Sequence, residues 1–465
     1  MKTSQKTLIQ NLSYAFISQG MTLLLSLLIT LIIPRVFEVE DFDFWQLFMF
    51  FLGYGGALHL GLNDGIYLRF GGKKYDELDH DLLGAQLRIS VLKQALIGFV
   101  IILISSIFIP DGRRMFVIIM AVCYSIVANV SMFLGFIFQA TNHIKVFAKS
   151  NFIYTTLSIV LILVLLWHEM SSLVLLISLH IFSRIVALSY LVVKGKEIIF
   201  TKPVERLRAL KEIRFNIKIG FSLMMALTMG TFILGVGRVI IDTRWGIEVF
   251  GQVSFSLLIA KLFLVFISQI SFVMFPVLRR AKSDKQRQFY LNARYLLGLV
   301  LPLILLAYIP LELFIRSWIP TYEGSLKFMI FLLPMCVFEG KTKMLSATYF
   351  KIRREEKVLL KINIICVALC SVLSLISLYI FNSVDVVVVC MAISMIIRNI
   401  LSELYLSKQF DISVHKNIVL ELSLVVVFVI LHWLLPAAVA TIGFLLLYVV
   451  YMWITRYIKI GEVLV

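Results

Sequence analysis

Long apolar runs alternate with short polar turns along this chain. A hydrocarbon core about 30 Å thick is crossed by about 20 helical residues at 1.5 Å each. That ruler marks fourteen segments: 8–33, 42–62, 85–109, 115–139, 151–168, 171–193, 216–241, 249–275, 289–311, 325–345, 360–381, 384–406, 417–435 and 437–458. Segment 325–345 contains Pro334 and Glu339, and 417–435 and 437–458 form a short closing pair. The pattern predicts an all-α polytopic membrane protein with about fourteen spanning helices. The first segment is too long for the core of a cleavable signal, and no small-x-small site follows it, so it is expected to stay as a span.

Composition agrees. Hydrophobic residues make up 60% of the 465 and charged residues 15%, with a mean hydropathy of +0.97. Soluble domains run about 45–50% apolar and about 25% charged, and one of this size could not cover so much apolar surface. The excess of 44 Lys and Arg over 27 Asp and Glu gives a net charge of +17. No basic cluster interleaves with aromatics on a polar face, so nucleic acid is not an expected partner. Basic loops on one side of a membrane account for the charge better. With the N-terminus cytoplasmic and the segments alternating, 34 of the 44 cations fall inside, six fall outside and four lie within spans. That count includes Lys341, Arg294 and Arg398 among the inside charges. It places both termini in the cytoplasm.

The polar turn after the second segment decides between two chemistries. Residues 58–81, LHLGLNDGIYLRFGGKKYDELDHD, carry Gly61, Gly65, Gly71 and Gly72 before a lysine pair. A phosphate-binding loop would need a preceding strand and the GxxxxGK[ST] spacing, and neither is present. The glycines are read instead as close helix packing. The five cysteines, Cys123, Cys336, Cys366, Cys370 and Cys390, all lie in apolar segments without metal-ligand spacing. No catalytic motif, metal set or cofactor motif appears, and the loops are too short to hold a soluble active site.

The chain reads as doubled. VEDFDFWQLFMFF, opening the second segment, parallels GIEVFGQVSFSLL, opening the eighth. Two six-helix lobes are expected, residues 1–193 and 216–406. They are joined by a basic linker, 194–215, and followed by two further helices in 407–465.

Ordered along the chain, several stretches resemble the polysaccharide transporters of the multidrug/oligosaccharidyl-lipid/polysaccharide flippase superfamily, which include O-antigen, capsule and teichoic-acid flippases. They are VEDFDFWQLFMFF, HLGLNDGIYLRFGG, FIFQATNHIKVFAKSN, GVGRVIIDTRWGIEVFGQVSFSLLIAKLF and MFPVLRRA. Asp43 stands where that family usually has Gly, and His59 where it often has Asp. The resemblance implies a bacterial cytoplasmic membrane and alternating access. It also implies transfer of a polyprenyl-diphosphate-linked oligosaccharide from the inner to the outer leaflet, with membrane lipids and other polysaccharide assembly proteins as partners. The alternative is a multidrug or organic-cation antiporter of the same superfamily, which should present buried acids. A membrane polymerase ranks below both, because it would need a long extracytoplasmic loop. A peptidoglycan-precursor flippase should carry arginines in its first helix, and residues 8–33 hold none.

Ionisable residues within spans are functional candidates by default. Lys261, mid-span in LLIAKLFLVF, is read either as a cavity cation for the diphosphate or as a buried lysine paired with a structural carboxylate or kept neutral. Arg184 suits phosphate or backbone carbonyls equally. Lys93 either faces the cavity or snorkels. Arg238 reads as an interface anchor and Arg69 as a rim cation, and both stay candidates for binding the substrate. Asp64, His59 and Glu339 are the coupling candidates, with His180 beside them. On a continuous helix His59 and Asp64, five apart, would not share a face.

Overall fold

The computed structural model describes residues 18–280 and 283–463; the side chains of 266–280, 283–284 and 457–463 lie outside the description. The start of the first expected segment, 8–17, and the cations Lys2, Lys6 and Lys282 fall outside it as well. Among the described residues the chain is helical, with no strand.

Helix α1, Ser18–Val36, bends at Ile32, just before Pro34, whose ring nitrogen cannot donate. The next expected span is not one helix. It is α2, Val39–Leu52, then a 3-10 turn, Gly55–His59, then α3, Leu62–Phe70. At 1.5 and 2.0 Å per residue, α2 and the 3-10 turn together reach about 30 Å, one hydrocarbon thickness. Helices α4 (His80–Phe108), α5 (Gly112–Ala140), α6 (Ile144–Trp167) and α7 (Leu173–Lys194) follow as uninterrupted spans. The helical run Arg206–Arg280 is two helices, α8 (206–245) and α9 (247–280), because Gly246 sits at φ 85° and ψ −178°.

Beyond it lie α10 (Ser283–Val300), a 3-10 stretch Leu301–Ala307 that starts at Pro302, and α11 (Tyr308–Trp318). Helix α12 (Ser325–Lys341) runs through the π-helical stretch Thr342–Ser346 into α13 (Ala347–Ile352). Four spans complete the chain: α14 (Glu356–Ile376), α15 (Val384–Phe410), α16 (His415–Leu434) and α17 (Ala437–Val463).

Eleven helical stretches among the described residues are long and apolar enough to cross a membrane, and one of them, Arg206–Val265, is divided by the Gly246 break. The protein is an all-α multi-pass membrane protein. The two expected segments outside that set, 42–62 and 325–345, are the interrupted one and the one that enters the π-helical stretch. Both carry buried ionisable residues.

Large apolar side chains face outward along the spans. On α4, Leu92, Leu96, Phe99, Leu103 and Ile107 recur at helical spacing and are 51–70% exposed. Exposing such side chains to water costs about 1.5–3 kcal/mol each, a cost that lipid tails remove.

The chain divides into two compact units, one ending at Thr231 and the other starting at Phe232. In the first, Leu62, Ile66, Leu83, Leu87, Phe133, Leu134, Phe138 and Leu191 form a core around α3. The glycines of residues 58–81 explain themselves here. A Cβ on Gly65 would lie 1.9 Å from the Asn216 carbonyl oxygen, and one on Gly220 would lie 2.1 Å from the Gly61 oxygen. Gly61 and Gly65, four apart, bring α3 and α8 to backbone contact, the packing that small residues allow between membrane helices.

Candidate functional site

Leu60 (φ 54°) and Gly61 (φ 86°) both adopt left-handed backbone and end the helical run between α2 and α3. For a leucine that conformation costs about 1–2 kcal/mol, so the surrounding packing holds the break. The break changes which side chains meet. His59 and Asp64, separated on a continuous helix, here face each other with His59 Nε2 3.7 Å from Asp64 Oδ2. Both are buried, at 2% and 8% exposure. The Gly61 amide donates to His59 Nδ1 at 3.0 Å, so Nδ1 carries the lone pair and Nε2, facing the carboxylate, carries the hydrogen. The His59 carbonyl accepts from Lys93 Nζ at 3.4 Å. Lys93 therefore turns toward the break and not toward the membrane surface.

Uncharged amides complete the surroundings. Asn129 Nδ2 donates to the Gly55 carbonyl at 2.9 Å and to Gln94 Oε1 at 2.7 Å, and Asn63 donates to the Asn129 carbonyl at 3.0 Å.

His180 and Arg184 lie on α7 in a separate aromatic cluster. The Tyr124 hydroxyl donates to that of Tyr154 at 3.1 Å, and the Tyr154 hydroxyl lies 2.8 Å from His180 Nε2. The His180 ring stacks on Tyr124 at 5.3 Å and meets Trp45 edge-on. The Arg184 guanidinium sits 5.0 Å from the Tyr154 ring centre, a cation–π distance. Among the described residues, His180 Nδ1 and Arg184 Nε have no hydrogen-bond partner. Arg69 is partly exposed at the end of α3. It pairs with Glu212, donates to Asn216 Oδ1 at 3.0 Å and lies over Phe215. A cavity of about 360 Å³ opens there, lined also by Lys211, Arg214 and Lys218.

In the second unit, Arg238 is buried. Its guanidinium donates to Ser254 Oγ through Nε (3.1 Å) and Nη2 (2.7 Å) and covers the Phe250 ring at 4.7 Å. It ties α8 to α9 across the Gly246 break. Lys261, on α9, is exposed and makes no hydrogen bond or ion pair with a described residue. The charges that act on it are Arg238, Lys343 and Glu339. Glu339, the single opposite charge, is paired with Arg398 at 3.2 Å. The alternative of a lysine locked to a structural carboxylate is therefore not what the geometry shows among the described residues.

A four-charge network lies nearby that reading the segments one at a time did not single out. Lys341 Nζ donates to Glu403 at 2.8 Å and also to Glu421, while Arg294 donates to Glu403 at 3.0 Å. All four are at most 4% exposed and come from α12, α15, α16 and α10. The positive-inside count had placed Lys341, Arg294 and Arg398 among the inside charges. All three are buried and each is paired with a carboxylate.

No family model and no curated sequence matches the chain. Solved structures do. The lipid II flippase MurJ in an inward closed conformation superposes with a TM-score of 0.63 over 98% of this chain and all of its own, at 13% identity. An inward-facing multidrug resistance MATE family transporter gives 0.56 over 87% of this chain and 98% of its own, at 14%. A MOP superfamily transporter from Pyrococcus furiosus, described as having a binding pocket of reverse polarity, gives 0.53 over 87% and 96%, at 15%. The chain has the MOP-superfamily transporter fold.

Within this MOP fold, the expected site residues separate into four places. His59, Asp64 and Lys93 gather at the helix break; Arg184 joins the aromatic cluster; Arg69 stands alone with Glu212; Arg238, Lys261 and Glu339 share one electrostatic neighbourhood. Glu403 and Glu421 were missed. Each is a carboxylate inside an apolar segment, and that was the available signal.

Proposed function

We propose that this chain is a flippase that moves a polyprenyl-diphosphate-linked oligosaccharide from the cytoplasmic to the outer leaflet of a bacterial cytoplasmic membrane. The observation that carries the reading is Lys261, an exposed cation on a membrane-spanning helix with no ion-pair partner among the described residues. A charge at that depth is expensive unless something compensates it, and a diphosphate passing through would do so. Arg238 holds the α8–α9 turn at the start of the helix on which Lys261 lies, and Lys93, Arg184 and Arg69 remain candidate phosphate-binding cations of the first unit. The lipid tail stays in the bilayer. The membrane potential assists, since each negative charge moved outward gains about 2.3 kcal/mol per 100 mV.

A MATE-like antiporter of organic cations would need carboxylates open to its cargo. Here Glu339 is committed to Arg398 and Asp64 faces His59, which favours an anionic cargo. The lipid II flippase MurJ has the same fold over nearly the full length.

The test uses purified protein in sealed liposomes. A fluorescent undecaprenyl-diphosphate oligosaccharide is placed in one leaflet and its arrival in the other is timed. Transfer by wild type, lost in Lys261→Ala with folding intact, is the expected result. Absence of transfer, together with uptake of organic cations down an ion gradient, would place the chain with the antiporters.

A further inference from the structure

Near its start, α8 mixes two kinds of side chain on one outward face. Leu210, Lys211, Arg214, Phe215, Lys218 and Phe221 follow one another at steps of one and three residues, so they lie along a single stripe of the helix. All six are exposed, the three apolar ones at 43–50%. The unbroken apolar run of α8 starts at Ile219. The stripe therefore crosses the level at which the helix enters the hydrocarbon, on the side where the positive-inside count places the cations.

Lys211, Arg214 and Lys218 span about 10.5 Å along the helix axis. With Arg69, Glu212 and Phe215 they line the cavity of about 360 Å³ at the end of α3, a size within the roughly 300–1,000 Å³ of small-ligand sites. None of the three forms an ion pair with a described residue. The one acid in the lining, Glu212, is taken by Arg69, which also donates to Asn216 Oδ1 and lies over Phe215. Arg69 is thus part of the wall, and three cations stay open to a ligand.

Four cations against one carboxylate leave the cavity strongly positive. Each Lys or Arg at a membrane surface favours anionic lipid by about fivefold. The apolar side chains beside the cations call for an amphiphile. Phe215 and Phe221 gain from being covered by acyl chain, whereas free phosphate would leave them bare. They need that cover at all times, which a resident lipid gives and a cargo in transit does not.

We propose that this cavity holds the phosphate of an anionic phospholipid of the inner leaflet, with its acyl chains along Phe215 and Phe221. Lys211, Arg214 and Lys218 are the phosphate ligands, and the bonds of Arg69 to Glu212 and Asn216 fix the α3 side of the cavity. Nothing in this site depends on the identity of the cargo.

Native mass spectrometry of the full-length protein tests it. The protein is released from nanodiscs that contain equal amounts of phosphatidylglycerol and phosphatidylcholine with the same acyl chains. Wild type should retain phosphatidylglycerol in preference to phosphatidylcholine. The triple variant Lys211→Gln, Arg214→Gln and Lys218→Gln should lower that preference by about tenfold to a hundredfold. A control triple, Lys194→Gln, Lys196→Gln and Lys202→Gln, removes the same charge from exposed positions just before α8 and should retain the lipid. Equal loss in both triples would reduce the effect to general surface charge and overturn the site, as would a wild type with no preference. Undecaprenyl diphosphate added in stoichiometric amount should leave the phosphatidylglycerol in place. Its displacing the lipid would assign the cavity to the cargo, which overturns the resident lipid and supports the flippase reading. If the first triple does not fold, a photoreactive phosphatidylglycerol answers on wild type. Labelling concentrated on residues 210–221 supports the site, and labelling that avoids them overturns it.

Discussion

Two buried charge clusters in this protein are built on opposite principles. In the second unit, Arg294, Lys341, Glu403 and Glu421 close on one another, two cations against two anions, each ion hydrogen-bonded to an opposite charge. In the first unit, Asp64 faces a neutral histidine and Lys93 spends its ammonium on a backbone carbonyl. The first arrangement has no vacancy to offer a ligand and fastens α16 to α10, α12 and α15. In the second, neither Asp64 nor Lys93 is closed on an opposite charge among the described residues. Burial and charge alone do not separate the two clusters; whether the charges are closed on themselves does.

The largest effect should come from breaking the closed network. Lys341→Met strands Glu421 and removes one of two cations from Glu403, and should cost about 3–5 kcal/mol of stability, read as loss of monodisperse protein and a lower Tm in detergent. The paired change Lys341→Met with Glu421→Leu leaves Arg294–Glu403 intact and should recover most of that loss, because a buried ion pair replaced by packed apolar groups is often neutral. If the double variant were as unstable as the single one, the network would be doing something other than neutralising itself.

A smaller loss is expected at the helix break. Gly65→Ala places a Cβ 1.9 Å from the Asn216 carbonyl oxygen, a backbone atom that cannot swing away, and should cost about 1–3 kcal/mol in the same thermal assay. It should also part α3 from α8, which a variant in the closed network should not do. The smallest effect belongs to Arg69→Gln. Its pair with Glu212 is partly exposed, and such pairs contribute about 0–1 kcal/mol, so Tm should scarcely move.

Much of this architecture was legible along the chain, and the exceptions share a cause. The fourteen apolar segments announce spans one at a time, because a helix's need for about 20 apolar residues is local. The Gly246 break falls in the interval left between the expected segments 216–241 and 249–275. The break at residues 60–61 was hidden, since no proline marks it and Leu60 adopts a left-handed backbone that its type disfavours. Tertiary packing of Gly61 and Gly65 against α8 decides that conformation, and a partner more than 150 residues away cannot be read from segment 42–62. The pairing of Lys341 and Arg398 was hidden for the same reason. A cation near the end of a span looks alike whether it meets water or a carboxylate on another helix, and the pairing runs from residue 294 to residue 421. Lys261 was legible because its signal is local: one lysine in the middle of an apolar run.

The central claim is that the exposed Lys261 serves the cargo while the closed network serves the fold. The most direct measurement times leaflet transfer of undecaprenyl-diphosphate oligosaccharide in liposomes for two proteins side by side: Lys261→Ala, and the double variant Lys341→Met with Glu421→Leu. The account predicts that Lys261→Ala keeps wild-type thermal stability and loses transfer by about tenfold to a hundredfold, the loss of one charge-assisted contact, while the double variant transfers at the wild-type rate. Undiminished transfer in Lys261→Ala, with transfer abolished in a stable double variant, would contradict it.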